Sequence, residues 1–127
     1  MSASFTHSPS VAVLGGGPGG YEAALAAAQL GAEVTLVERA GVGGAAVITD
    51  VVPSKSLIAT ADAAVAISEA SDLGVEFYAK GESGRPLKPE VAINLAAVNK
   101  RLLSLARQQS DDMRRQLVDA GVRIISG

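Results

Sequence analysis

The stretch Val11 to Glu38, VAVLGGGPGGYEAALAAAQLGAEVTLVE, restricts the fold of this chain more than any other. Val11 to Leu14 is a short apolar run of the kind used by a strand buried in a parallel sheet, and Gly15, Gly17 and Gly20 follow it in G-x-G-x-x-G spacing. Each glycine has a mechanical task. Gly15 allows the tight turn off the strand, Gly17 lets the backbone approach a pyrophosphate, and Gly20 lets the helix pack on the sheet with no Cβ in between. Pro18 falls in the first turn of that helix, where its missing N–H is no loss, so the free N–H groups and the positive dipole end can face a phosphate. The Ala- and Leu-rich run from Tyr21 to Leu30 continues the helix, and Gly31 ends it. Val34 to Val37 forms a second strand with Glu38 at its carboxyl end, 18 residues after Gly20. That separation suits a carboxylate accepting hydrogen bonds from an adenosine ribose, and an acid there would repel a 2′-phosphate. Strand, turn, helix, second strand and terminal acid in one register distinguish a dinucleotide-binding unit from a chance glycine turn.

Composition bounds what this unit belongs to. A chain of 127 residues is one domain at most and long enough to bury a core. Apolar residues make up 48% of it but aromatic ones only 3%, so small side chains dominate, which suits helices packed closely on a parallel sheet. The net charge of −2 gives no electrostatic reason to expect nucleic acid or an anionic membrane as partner. There is no cysteine, which excludes a disulfide framework, a thiolate metal site and a dithiol redox centre within these residues, and no metal site is expected. Residues 1–10 are polar with no apolar core of a signal peptide, and read as a frayed tail on a cytoplasmic protein. His7, the only histidine, lies in that tail as an uninvolved side chain. The Gly-Pro pair and Glu22 interrupt the longest apolar region, so no transmembrane helix is expected.

Beyond the second strand, Arg39 to Val52 reads as a loop, glycine-rich at first and then small and apolar. Gly43 and Gly44 would permit a second close backbone approach to a ligand. Pro53-Ser54-Lys55-Ser56 opens a helix running to about Ser71, with Leu57, Ile58, Ala61 and Val65 at helical spacing. Lys55 then stands in the first turn, where a cation is unfavourable unless a ligand or an acid answers it, and this marks it as a functional candidate. Asp72 to Lys88 reads as an exposed connection with a short extended piece near Val75 to Tyr78. A long helix is expected from Pro89 to Ala120, with Val91, Leu95, Val98, Leu102, Leu105, Met113 and Leu117 as its apolar stripe and mixed charges on the solvated face. Gly121 caps it, and Val122 to Ser126 reads as a third parallel strand.

The succession GGGPGGYEAA, TLVE, GVGG and PSK resembles the amino-terminal part of the FAD domain in the dihydrolipoamide dehydrogenase and glutathione reductase group of flavoproteins, and the likeness covers Val11 to Gly127. The fold it implies is α/β: an incomplete Rossmann-like FAD-binding domain over residues 11–127, a parallel sheet with flanking helices, with residues 1–10 as a tail. The cofactor it implies is FAD, held by Gly15, Gly17, Pro18, Gly19, Gly20, Glu38, Arg39, Gly43, Gly44, Ala45, Ala46 and Lys55. Lys55 would lie near the flavin N5 edge in a supporting catalytic role. In that group the segment reads GG-x-C-x-x-x-x-C-x-P-S-K. Here Gly43, Gly44, Pro53, Ser54 and Lys55 match, while the cysteine positions fall on Ala46 and Val51.

That departure bears on the chemistry. Passing electrons from reduced flavin to a disulfide substrate needs a dithiol relay, and Ala46 and Val51 supply none. The sequence is similar to a cysteine-depleted branch of the group, with a loop reading GGAAV, that reduces quinones with NAD(P)H. The resemblance thus implies a pyridine-nucleotide-dependent flavoprotein oxidoreductase with a quinone-like acceptor, homodimeric when intact. Members are several times longer, so the NAD(P)H site, the later FAD contacts and a dimerisation domain with an acid/base His-Glu pair are expected to be absent from this chain. A non-catalytic nucleotide-binding module or pseudoenzyme is the alternative, and a true dihydrolipoamide dehydrogenase is disfavoured by the missing cysteines. With strands in the order third, second, first, Val11 to Leu14 becomes an edge, and the isolated chain should self-associate, bind FAD weakly if at all, and lack oxidase or quinone reductase activity.

Overall fold

The computed structural model describes residues 8–81 and 84–127; His7 and the rest of residues 1–7, with Glu82 and Ser83, lie outside the described residues. Three parallel strands, β1 (Ser10–Leu14), β2 (Glu33–Val37) and β3 (Arg123–Ile125), form one sheet in the order β1-β2-β3, so β1 is an edge as expected. Between β1 and β2 lies helix α1 (Pro18–Gln29), and the long connection from β2 to β3 carries α2 (Gly44–Ile48), α3 (Val51–Glu69) and α4 (Leu95–Asp119).

Strand register decides the two faces. Val11 pairs with Val34, Val13 with Leu36, and Leu36 in turn with Ile124, which lines these apolar side chains up on one side of the sheet. α1 and α4 cover that side, and Tyr21, Ala24, Val34, Leu36, Val42, Leu117 and Val122 make the core, with Leu36 and Leu117 wholly enclosed. The opposite rows, Ala12-Thr35-Arg123 and Leu14-Val37-Ile125, have no layer over them among the described residues, and Leu14 is 82% exposed. The helices thus flank one face of a sheet type that is normally covered on both.

α1 and α4 both lead into strands and end the same way. Gly31 and Gly121 adopt left-handed φ of 86° and 85°, and the residue after each, Ala32 or Val122, donates its N–H back to the carbonyl of Ala27 or Leu117. This hydrogen bond closes the last turn and aims the chain at the sheet. Two boundaries differ from the sequence reading. α4 begins at Leu95, because the Asn94 side chain accepts from the Ala97 N–H at 3.0 Å and stops the helix there; residues 89–94 are not helical. The loop expected over Arg39 to Val52 contains α2 and the start of α3, whose N-cap is Asp50, so Pro53 sits inside the first turn, where its lack of an N–H is tolerated. Lys55 consequently belongs to the second turn.

α3 packs along α4 but buries none of its own residues, and Leu57, Ile58, Val65 and Ile67 remain exposed. By length and composition alone Gly44–Leu73 is long and apolar enough to cross a membrane, with a mean hydropathy of 1.2, which corrects the expectation that no such stretch exists. The stretch is divided at Thr49 and Asp50, and Asp62 and Glu69 interrupt α3 further along.

Candidate functional site: a glycine turn clasped by a carboxylate

Gly15 leaves β1 with φ of +92°, which only glycine adopts cheaply, and its N–H donates to the Val37 carbonyl at 2.8 Å. A Cβ on Gly20 would lie 1.9 Å from the Gly15 carbonyl oxygen and 3.4 Å from Val13, so α1 can approach the turn only because Gly20 has none. Gly17 behaves differently. Its φ of −64° suits any residue, and a Cβ there would meet nothing within 4 Å. No described protein atom demands glycine at this position, which leaves room for close approach of a ligand. Gly17 also caps α1 without a side-chain bond, and the first N–H groups of the helix face outward beside Pro18 and Gly19 with no side chain answering them among the described residues.

Gly16, which the sequence reading passed over, ties the site together. Its N–H donates to Glu38 Oε2 at 2.6 Å, and its carbonyl accepts from the Gly43 N–H at 2.7 Å. Glu38 Oε1 in turn accepts from the N–H groups of Ala40 at 2.6 Å and Gly41 at 3.1 Å. Burial disfavours the charged carboxylate, but the backbone bonds from Ala40, Gly16, Gly41 and Arg39 outweigh it and hold the Glu38 carboxyl below its ordinary range. The acid expected to receive a ribose is therefore first a clasp between the glycine turn and the loop after β2. Three donors, the N–H groups of Gly16, Ala40 and Gly41, meet hydrogen-bond geometry, so of the roughly four acceptor positions of a carboxylate one is left for a hydroxyl.

Gly43 and Gly44 also serve the turn itself. Both are left-handed, with φ of 99° and 57°. A Cβ on Gly43 would strike Val47 at 2.4 Å, and one on Gly44 would come within 3.0 Å of Gly17 Cα. The second glycine pair thus lets the loop dock against the first.

Between them runs an open cleft of about 520 Å³, with Leu14, Gly15, Glu38 and Arg39 on one side and Gly44, Ala45, Ile48 and Thr49 on the other. The expected residues Gly15, Glu38, Arg39, Gly44 and Ala45 meet there, while Leu14, Ile48 and Thr49 are lining residues with no signal in the motif. Ala46 is half-buried in α2 and not part of the lining, and Lys55 is exposed on α3 away from it. Ala46 and Val51 lie in α2 and at the first position of α3, on the two sides of the break at Asp50.

A parallel sheet whose first strand turns through glycines into an uncapped helix, with an acid at the end of the second strand, defines a dinucleotide-binding unit. The family profile described as pyridine nucleotide-disulphide oxidoreductase matches residues 9–125, and the chain belongs to that family. It is 39% identical over 120 residues to a Mycobacterium tuberculosis (strain CDC 1551 / Oshkosh) NAD(P)H dehydrogenase (quinone), covering 92% of this chain and 22% of that protein. It is 49% identical over 63 residues to dihydrolipoyl dehydrogenase 2 of Haloarcula marismortui, covering 50% of this chain and 13% of the relative. Among solved structures, LpdA from Mycobacterium tuberculosis superposes with a TM-score of 0.77 at 37% identity, over 94% of this chain and 23% of that one. The RclA flavoprotein disulfide reductase of Escherichia coli, with a TM-score of 0.58 at 16% identity over 94% of this chain and 21% of its own, shares the fold. The chain thus spans less than a quarter of the length of these relatives, and its sheet and helices match the FAD-binding Rossmann-like domain of LpdA.

Proposed function

We propose that this chain is the FAD-holding portion of a flavoprotein oxidoreductase that takes electrons from NAD(P)H and delivers them to a quinone-type acceptor without a redox disulfide. The observation that carries the nucleotide half of this reading is Gly17: it stands at the uncapped start of α1, and nothing in the chain requires it to be glycine. A pyrophosphate would accept from the N–H groups of Gly19 and Gly20, and the ribose hydroxyls would use the remaining capacity of Glu38. When bound, FAD supplies hydride and electron transfer, which no side chain of this protein can perform. The chain contributes binding, orientation and, through Ile48, Thr49 and Ala45, a wall beside the cleft. Lys55 is proposed as a supporting cation toward the flavin, which requires the helix that carries it to be held in place by further structure.

The quinone half rests on the likeness to the Mycobacterium tuberculosis quinone enzyme and on the absence of cysteine, since dithiol relay to lipoamide needs two sulfurs that this chain lacks. A chimera tests both halves: residues 9–125 replace the matching segment of that enzyme. It should purify yellow and oxidise NAD(P)H with menadione but not with lipoamide. A colourless chimera that takes up no added FAD would sink the nucleotide half, and sustained lipoamide turnover would sink the other. The 127-residue chain alone should bind FAD weakly if at all and turn over neither acceptor.

A further inference from the structure

Tyr21 follows the last glycine of the motif and closes the first turn of α1. Its N–H donates to the Gly17 carbonyl at 2.8 Å, just behind Gly19 and Gly20, whose N–H groups lie at the open start of the helix. Its ring is buried in the core, and its hydroxyl donates to Oε1 of Gln116, 95 residues further along in the last turn of α4. A phenol in the core needs such an acceptor, since a hydroxyl left unpaired away from water is costly. α4 also bears on the second glycine stretch. A Cβ on Gly43 would lie 3.2 Å from Met113 Sδ, and one on Gly41 would lie 3.1 Å from Ser110 Oγ. Ser110, Met113 and Gln116 stand three residues apart, so they run along one side of the helix.

We infer that Gln116 is a positioning residue for the dinucleotide and acts through Tyr21; the inference rests on the reading that a pyrophosphate sits at the start of α1. Neither residue lines the cleft, so neither acts by touching the ligand. The first N–H groups of a helix have no partner within it, and a ligand held by them binds well only if they are already aimed; otherwise the cost of ordering them is deducted from its affinity. Gly17 and Gly19 give this turn more backbone freedom than any other residue would. The turn is therefore fixed from outside. Contact of Gly20 with Gly15 holds it to β1, and the Tyr21 ring with its bond to Gln116 holds it to α4. Because Met113 and Ser110 of α4 also seat Gly43 and Gly41, one helix sets the separation of the two glycine stretches that flank the cleft.

The test titrates FAD into the chimera carrying residues 9–125 after its flavin has been stripped. Tyr21→Phe keeps the ring in the core and removes only the hydroxyl, Gln116→Leu removes the acceptor, and Gln116→Glu keeps an acceptor oxygen in its place. Tyr21→Phe and Gln116→Leu should each raise the Kd for FAD about fivefold, within the worth of one hydrogen bond. The double variant should bind no worse than either single one, because both changes break the same bond. Gln116→Glu should stay within about twofold of the parent, since a carboxylate accepts from the phenol as an amide does. At saturating FAD, kcat with menadione should be unchanged in all of them. A bond that serves stability alone would lower the urea midpoint and leave the Kd where it was. An unchanged Kd in both single variants, a double variant weakened by the product of the two, or Gln116→Glu as weak as Gln116→Leu would each overturn the inference. A parent chimera that takes up no FAD overturns the nucleotide reading and this inference with it, whereas unchanged binding by the variants of a yellow parent overturns this inference alone.

Discussion

α1 and α3 are both rich in alanine and apolar side chains, yet they meet opposite fates. α1 buries Tyr21 and Ala24 within a unit that closes on itself over about thirty residues, whereas α3, at 19 residues the longer of the two, buries nothing. The difference lies in what surrounds them. α1 is flanked on both sides by strands that pair with each other, and Gly20 lets it sit against their turn; α3 has α4 and the short α2 alongside but no strand among the described residues, and Leu57, Ile58, Val65 and Ile67 face outward. Apolar sequence states that a segment wants burial, and only the elements that close around it decide whether burial happens.

This contrast can be broken at the turn. Gly20→Ala should be the most damaging single change, since a Cβ 1.9 Å from a carbonyl oxygen must push α1 off the sheet; a loss above about 4 kcal/mol, read as failure to fold in urea titration, is expected. Near-normal stability of that variant would mean that the close approach of α1 is not what holds the unit together.

Glu38→Ala should come next. Removing the acceptor of the Gly16, Ala40 and Gly41 N–H groups should destabilise by about 1–2 kcal/mol, at the low end for charge-assisted bonds because the carboxylate is partly exposed. Its pH dependence follows from a carboxyl held below its ordinary value of 4.5: the contribution is fully present above that value and disappears as the pH falls through the lower folded value. The stability gap between wild type and Glu38→Ala should therefore close in acid, and a gap that stays constant down to full protonation would show that the clasp is not ionic.

Gly17→Ala should destabilise by no more than about 1 kcal/mol, since the added Cβ meets nothing and the cost is that of alanine against glycine as an N-cap. In the chimera described above it should nonetheless cut FAD retention severely. Retained flavin would remove the best argument for a pyrophosphate at this turn. On the arm, Leu57→Ser should be the mildest change, within about 0.5 kcal/mol in the isolated chain because the side chain has no core to leave. A larger loss would reveal a contact that α3 already makes.

Much of the first half was legible in the sequence because its rules are local. Gly15, Gly20 and Glu38 occupy positions whose φ, packing or end-of-strand placement depends on neighbours fewer than thirty residues away, and Gly31 and Gly121 mark helix ends by the same left-handed turn. The start of α4 was misplaced because Pro89 and Asn94 are both valid openings, and only the Asn94 bond to Ala97 chose between them. α2 was missed because GAAVI is too short for a helical period to show. Gly16 carries no signal either, since the residue between the first two glycines of the motif is free in the pattern.

From sequence alone came the dinucleotide-binding unit, the order of its elements, the lack of any thiol chemistry and the family likeness, all of which depend on residue identity and short spacing. Tertiary structure alone decided that Glu38 clasps Gly16, that Gly43 and Gly44 dock the second loop against the first turn, and that, among the described residues, one sheet face and the apolar side chains Leu57, Ile58, Val65 and Ile67 of α3 stay exposed. Hydrogen bonds across 22 residues and the coverage of a surface are properties of where distant segments come to rest, and no local pattern encodes them.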